Sequence, residues 1–320
     1  MRSISKIIIA ATMFLASFAV AQTPRISFKV PNLYPEGASF NAQKNVFYVS
    51  SVKMGTIGTV DQSGNYKVFY QDKSLKSSYG MKVDVKNNRL WVCISDANYS
   101  DYSDPSTFKK MARVISLDLN SGKKVQDIDL SNLFPGKHFA NDLAFDPQGN
   151  IYVTDSFSPV IYKIDAKGKA IVFAESELFK GEDVGLNGIA FHPQGFLLVA
   201  DARAGALYKV DVRDPKKITK VMVNQFFPGA DGLLLDDQQN LILVQNQTNS
   251  IFKLSSMDSW QNAQVVAATS ATDRFAYPTA IVQASGKLYA LNAKLNELAD
   301  PTKPKSKEFS LQLAEFKLVK

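Results

Sequence analysis

The feature that most constrains this chain is the sixfold recurrence of one strand-rich unit. Each copy opens on a short polar or proline-containing step, runs through an alternating apolar stretch, turns tightly and returns through a second apolar stretch. Aligned on one residue, the copies begin at Glu36, Tyr79, Asn141, Asn187, Asp231 and Pro278. The clearest pair is 141–155 (NDLAFDPQGNIYVTD) and 187–201 (NGIAFHPQGFLLVAD), in which Pro-Gln-Gly supplies the turn chemistry between two strands. Third and fourth apolar stretches follow, as in 160–164 (VIYKI) and 170–174 (AIVFA). Four short antiparallel strands per unit, repeated every 43 to 47 residues save one interval of 62, are the signature of propeller blades.

The expected architecture is therefore all-β, a six-bladed β-propeller of four-stranded antiparallel blades. A two-sheet sandwich fits six matched units poorly. The long interval falls in the second unit, where Ser95 to Lys110 is polar and lacks amphipathic periodicity, which predicts a loop. Closure follows from the ends: the strand-like 25–30 (RISFKV) precedes the first unit and has no blade of its own. Pairing it into the last blade would close the ring and remove an exposed edge.

Residues 1–21 read as a signal peptide, leaving 22–320 as one propeller domain. Arg2 and Lys6 precede the uncharged apolar run from Ile7 to Val20, and Ala19-Val20-Ala21 is a small-x-small cleavage site. No cysteine follows the run to take a lipid, so the expectation is a periplasmic or secreted bacterial protein without a membrane anchor after cleavage. Cys93 is the sole cysteine and sits in an apolar run, which excludes an internal disulfide and suits buried packing. With only His138 and His192, zinc sites built on several imidazoles are excluded too. Removing Arg2 and Lys6 lowers the net charge from +7 to +5, and the surplus is scattered rather than striped, which argues against a nucleic-acid partner.

In a propeller the aligned step residues share one face, so Glu36, Tyr79, Asn141, Asn187, Asp231 and Pro278 ring one mouth of the central channel. The strand exits near Lys53, Asp96, Asp155, Asp201, Asn246 and Asn292 surround the same mouth, and the long second-blade loop emerges there as a candidate lid. Two carboxylates and two amides offer oxygen ligands for a hard divalent cation, Ca²⁺ foremost, with Zn²⁺ or Mn²⁺ as alternatives. The competing reading is structural, because Asn187-Gly188 and Asp231-Gly232 are ordinary turn dipeptides. Tyr79, His138 and Arg203 are candidate substrate contacts: His138 as acid or base, Arg203 as partner of a carboxylate or hydroxyl. His192 should face the far side, while Asp155 and Asp201 either orient a water or cap the turns they begin.

On Pro35-Glu36-Gly37, Asn141-Asp142 ahead of Asp146-Pro147-Gln148-Gly149, Asn187-Gly188-Ile189 and Ala230-Asp231-Gly232, the chain resembles the gluconolactonase / senescence marker protein family of six-bladed propellers. That resemblance implies Glu36, Asn187 and Asp231 as ligands of one divalent metal, with Asn141 as an outer or water-mediated partner. Sugar-lactonase members carry an Arg two residues before the Asn of the Asn-Asp step, where this chain has Phe139. They commonly have Trp where it has Phe40. The resemblance implies a metal-dependent hydrolase of a lactone or related ester, with Asp231 and Asn141 as catalytic residues and a small-molecule substrate. The alternative is a non-catalytic ligand- or protein-binding propeller with a structural metal.

Overall fold

The structure, a computed structural model, describes residues 24–319; the segment read as a signal peptide lies outside the described residues. Six four-stranded antiparallel sheets stand around a central axis. The chain enters each sheet at its innermost strand and works outward. The blades begin with Ala38–Asn41, Ser77–Asp84, Ala140–Phe145, Leu186–His192, Ala230–Leu235 and Pro278–Ala284. Each of these inner strands packs against the inner strand of the next blade, and the sixth packs against the first, so the ring is closed.

Burial explains the order of the strands. The second strands, such as Ile151–Asp155 and Phe196–Asp201, are buried throughout because both faces meet a neighbouring blade. The outer strands Tyr66–Gln71 and Lys124–Asp129 are partly or wholly exposed, as expected at the rim of a sheet solvated on one side. The apolar core accordingly lies between blades rather than along the axis. Tyr48 and Ile57 of blade 1 pack with Met81, Val92 and Ile115 of blade 2. Ile242 and Ile251 of blade 5 pack with Ile281 and Ala290 of blade 6. Cys93 is fully buried in this packing.

The N-terminal strand Arg25–Lys29 pairs with Glu308–Leu313 as the outermost strand of blade 6, in register from Arg25 opposite Gln312 to Lys29 opposite Glu308. Ring closure thus joins the two ends of the chain, and Phe28 buries its ring against Phe309. The C-terminal run does not stay in one blade. After Leu313 it leaves blade 6, and Lys317–Leu318 adds a fifth strand to the edge of blade 5.

Two insertions interrupt the repeat. Ser95 to Lys110 in blade 2 is a series of turns without a helix, organised around the buried Asp96. Its Oδ2 accepts from the Ser103 and Thr107 hydroxyls and from the Asp104 N–H at 2.7–3.1 Å. The second insertion, residues 293–307 of blade 6, carries the short helix Asn296–Ala299, so the blade 2 loop is not the lone irregularity. It is fastened to the chain ahead of blade 1, where the Tyr34 hydroxyl donates to Glu297 Oε2 at 2.9 Å. The signal for it was present in the long spacing between Asn292 and Phe309.

Candidate functional site at the channel mouth

In blades 2 to 6 the inner strands are bulged at the step, whereas Glu36 lies just ahead of the regular inner strand of blade 1. In blade 4, Leu186 pairs with Asp201 and Ile189 with Val199, so Asn187 and Gly188 together oppose a single residue. The same shift places Tyr79-Gly80, Asn141-Asp142 and Asp231-Gly232 opposite one residue each, and one extra residue bulges the start of blade 6. A bulge turns side chains out of the ordinary alternation and is a common device beside functional sites. The reading of Asn187-Gly188 and Asp231-Gly232 as turn dipeptides is therefore corrected: both lie within strands.

Close packing around the axis explains the glycines. A Cβ on Gly188 would sit 2.2 Å from the Asp231 carbonyl oxygen, and one on Gly37 would sit 2.1 Å from that of Tyr79. Where the step lacks glycine, a polar side chain bridges instead. The Thr279 hydroxyl donates to the Glu36 carbonyl at 2.6 Å, and Asp142 accepts from the Ile189 N–H at 3.4 Å. Neighbouring blades are thus fastened to each other at the mouth.

Glu36, Asn141, Asn187 and Asp231 converge, all more than nine-tenths buried. They line both the narrow upper channel and the cavity that opens from it. Burial, together with the facing charges of Asp231 and Asp142, pushes the Glu36 carboxyl well above its ordinary range. Burial is also the main cause raising Asp231 to about 8, with Asp142 adding repulsion, while hydrogen bonds from Asn246 and Asn187 oppose the shift. The Asn246 amide donates to Asp231 Oδ2 at 2.8 Å. The Asn141 amide donates to Ser156 at 2.9 Å, leaving its buried Oδ1 without a hydrogen-bond partner. Two residues missed from the sequence belong here: Asp142, and Lys82, whose ammonium lies 3.9 Å from Asp142.

Among the described residues no three Asp, Glu, His or Cys side chains are grouped to chelate a metal by themselves. A cation at the mouth would need mixed carboxylate and amide oxygens, and these are what the mouth offers. The unpaired Asn141 oxygen and the mutually repelling carboxylates both fit a hard cation.

Above the ring lies a cavity of about 410 Å³, lined by Tyr79 and Arg203 as well as by the four oxygen-bearing residues. Arg203 is committed to structure: it donates to Asp201 Oδ2 at 3.0 Å and to the Phe179 carbonyl at 3.1 Å, wedged against Gly181 and Gly185. His138 is not at this cavity. It is buried further out, its Nδ1 2.8 Å from Asp155 Oδ2, and Tyr162 also donates to that carboxylate. The other Asp155 oxygen caps the N–H groups of Phe139, Phe157 and Ser158, and Asp201 likewise caps Ala204, so these aspartates hold turns. His192 stacks on Phe196 and Pro278 pairs with Asn292 at the start of blade 6.

Known structures share this architecture. The major Malassezia sympodialis allergen Mala s 1 superposes with a TM-score of 0.72 at 19% identity, covering 92% of this chain and 97% of that one. A candidate gluconolactonase gives 0.61 at 15% identity, covering 94% and 95%. The calcium-binding protein regucalcin from Agrobacterium tumefaciens gives 0.61 at 15%, covering 89% and 92%. Identities this low establish the fold alone. No curated protein sequence matches the chain. A family model described as Mal s 1 allergenic protein-like matches residues 17–273, and the chain belongs to that family, the Mala s 1-like proteins.

Proposed function

We propose that the chain is an exported, divalent-cation-dependent hydrolase of a lactone or related ester. The observation that carries this reading is the convergence of Glu36, Asp231 and Asp142 with the Asn141 and Asn187 amides, against Lys82 as the facing cation. A divalent cation there would relieve the repulsion that Glu36 and Asp231 meet from each other and from Asp142. Glu36, Asn187 and Asp231 would hold it, with Asn141 beside them; Ca²⁺ fits the oxygen set best. The calcium-binding and gluconolactonase descriptions of two structural relatives support the same class.

The bound cation would supply Lewis-acid polarisation of the substrate carbonyl. The chain's own residues do the rest. Asn246 donates to Asp231 Oδ2 and fixes the rotamer of the carboxylate, which would take the proton of an attacking water. Asn141, held by Ser156, presents its carbonyl oxygen to orient that water.

The test is elemental analysis of the purified chain coupled to a lactone and ester panel, before and after chelation. Turnover that is lost with the cation and restored by Ca²⁺, Zn²⁺ or Mn²⁺ is expected. Cation-dependent stabilisation with no turnover across the panel would refute the hydrolase and favour a binding propeller.

A further inference from the structure

The mouth cavity has two unlike sides. Val52, Tyr79 and Phe139 belong to one buried apolar cluster, against which Tyr99, Val184 and Leu295 pack, and all six line the cavity. The wall is continuous from blade 6 through blades 1 to 3 and onto the segment entering blade 4. Tyr79 and Phe139 meet at 4.5 Å between ring centroids, their planes inclined by 60°, and tie it together. Both insertions contribute to it, Tyr99 from the blade 2 loop and Leu295 from the blade 6 loop. The polar lining is Glu36, Asn141, Asn187, Asp231 and Asn246 around the axis with Gln247 beside them, while the exposed Asn98, Asp183 and Asn296 flank Tyr99, Val184 and Leu295 at the rim. The cationic side chain there, Arg203, is already engaged by Asp201 and Phe179.

We propose that this mouth selects a two-sided small molecule, with a carbonyl end toward Asn187 and Asp231 and an alkyl or aryl substituent against the apolar wall. Within the lactone and ester class the preferred ligands are apolar-substituted rather than polyhydroxylated. The carbonyl placement rests on the hydrolase reading; the preference for an apolar substituent rests on the wall alone. A sugar hydroxyl pressed against Val52, Phe139, Val184 or Leu295 would lose its hydrogen bonds to water without replacement. A methylene buried there gains about three- to fourfold in binding. A cavity of about 410 Å³ lies within the usual small-molecule range of ~300–1,000 Å³.

Two measurements separate this inference from the hydrolase reading. The first is kcat/KM, with Ca²⁺ supplied, for γ-lactones of four to ten carbons and for gluconolactone. A rise of about threefold per methylene is expected, with gluconolactone poorest. The second needs no turnover: the fluorescence of N-phenyl-1-naphthylamine added to the chelated protein, with displacement by the same lactones. Long-chain lactones should displace the probe and gluconolactone should not. Tyr99→Ser and Leu295→Ser, both at partly exposed loop positions, should each weaken probe binding at least fivefold. Turnover that is flat with chain length, or best with gluconolactone, overturns the inference and leaves the hydrolase standing. Probe binding and chain-length-dependent displacement without any turnover overturns the hydrolase and leaves the inference standing. Absence of probe binding, or binding indifferent to both variants, overturns the inference whatever the panel shows.

Discussion

Replacing Gly188 by alanine tests whether the approach of neighbouring blades builds the mouth. The added Cβ would lie 2.2 Å from the Asp231 carbonyl oxygen and 2.8 Å from the Leu233 nitrogen, about 1.2 Å inside the 3.4 Å at which ordinary contacts begin. Both obstacles are backbone, so no side chain can swing aside and two inner strands must part. Overpacking of this kind costs about 1–3 kcal/mol, and a backbone clash belongs at the upper end. At about 2 °C per kcal/mol for a domain this large, the melting temperature should fall by about 6 °C. Parting the strands also displaces Asp231 from Asn187, so cation affinity should fall about tenfold. The comparison is Gly286→Ala, where φ is +74° but nothing lies within 4 Å of the new Cβ. It should cost about 1 kcal/mol through backbone strain and leave cation affinity unchanged. Differential scanning calorimetry and calcium titration read both variants. If Gly188→Ala melts within 1 °C of the parent and binds the cation equally well, the close approach does not hold the site and the reasoning fails.

The remaining predictions concern protons, closure and the buried histidine. Glu36 and Asp231 have folded pKa values above those of the unfolded chain, the latter at about 8. The metal-free fold therefore carries protons the unfolded chain has lost; the Asp231 share of this stabilisation is full below about pH 4 and is lost as the pH rises through about 8. Melting temperatures in chelator should fall across that window, and saturating Ca²⁺ should flatten or invert the slope; a chelated protein that gains stability toward pH 8 would contradict the assignment. Phe28→Ala, which empties a fully buried position on the closing strand, should cost about 3–5 kcal/mol and open the N-terminal strand to limited proteolysis. His138→Gln should cost about 1–3 kcal/mol by disturbing the Asp155 cluster while leaving kcat and KM for any substrate unchanged. A selective loss of kcat would restore His138 as an acid or base.

How far the site could be read from sequence differs residue by residue. Glu36, Asn187 and Asp231 stand at the same place in their repeats, so one alignment brings together residues up to 195 positions apart. Asp142 was visible only as the second half of an Asn-Asp step. Nothing in a linear pattern says that the step is bulged, and the bulge is what brings its carboxylate close enough to repel Glu36. Lys82 escaped notice because it is one cation in an alternating strand, with meaning only once blades 2 and 3 are adjacent. His138 and Arg203 were placed on mouth-side loops by topology, but topology does not measure distance from the axis. The structure sets His138 behind the mouth and ties Arg203 to its own loop.

The sequence alone determined the number of blades, the strand order within them and the pairing of the first strand with the last blade. Those depend on repeat period, alternation of apolar residues and the need to cover a sheet edge, all of which are local or counting properties. The tertiary structure decided that the glycine steps are points of contact between blades rather than turns. It also decided that the mouth has a polar and an apolar side, and that two insertions complete the latter. Such features arise only when separate blades are brought within van der Waals contact, because side-chain burial and charge repulsion depend on distances that no single repeat contains.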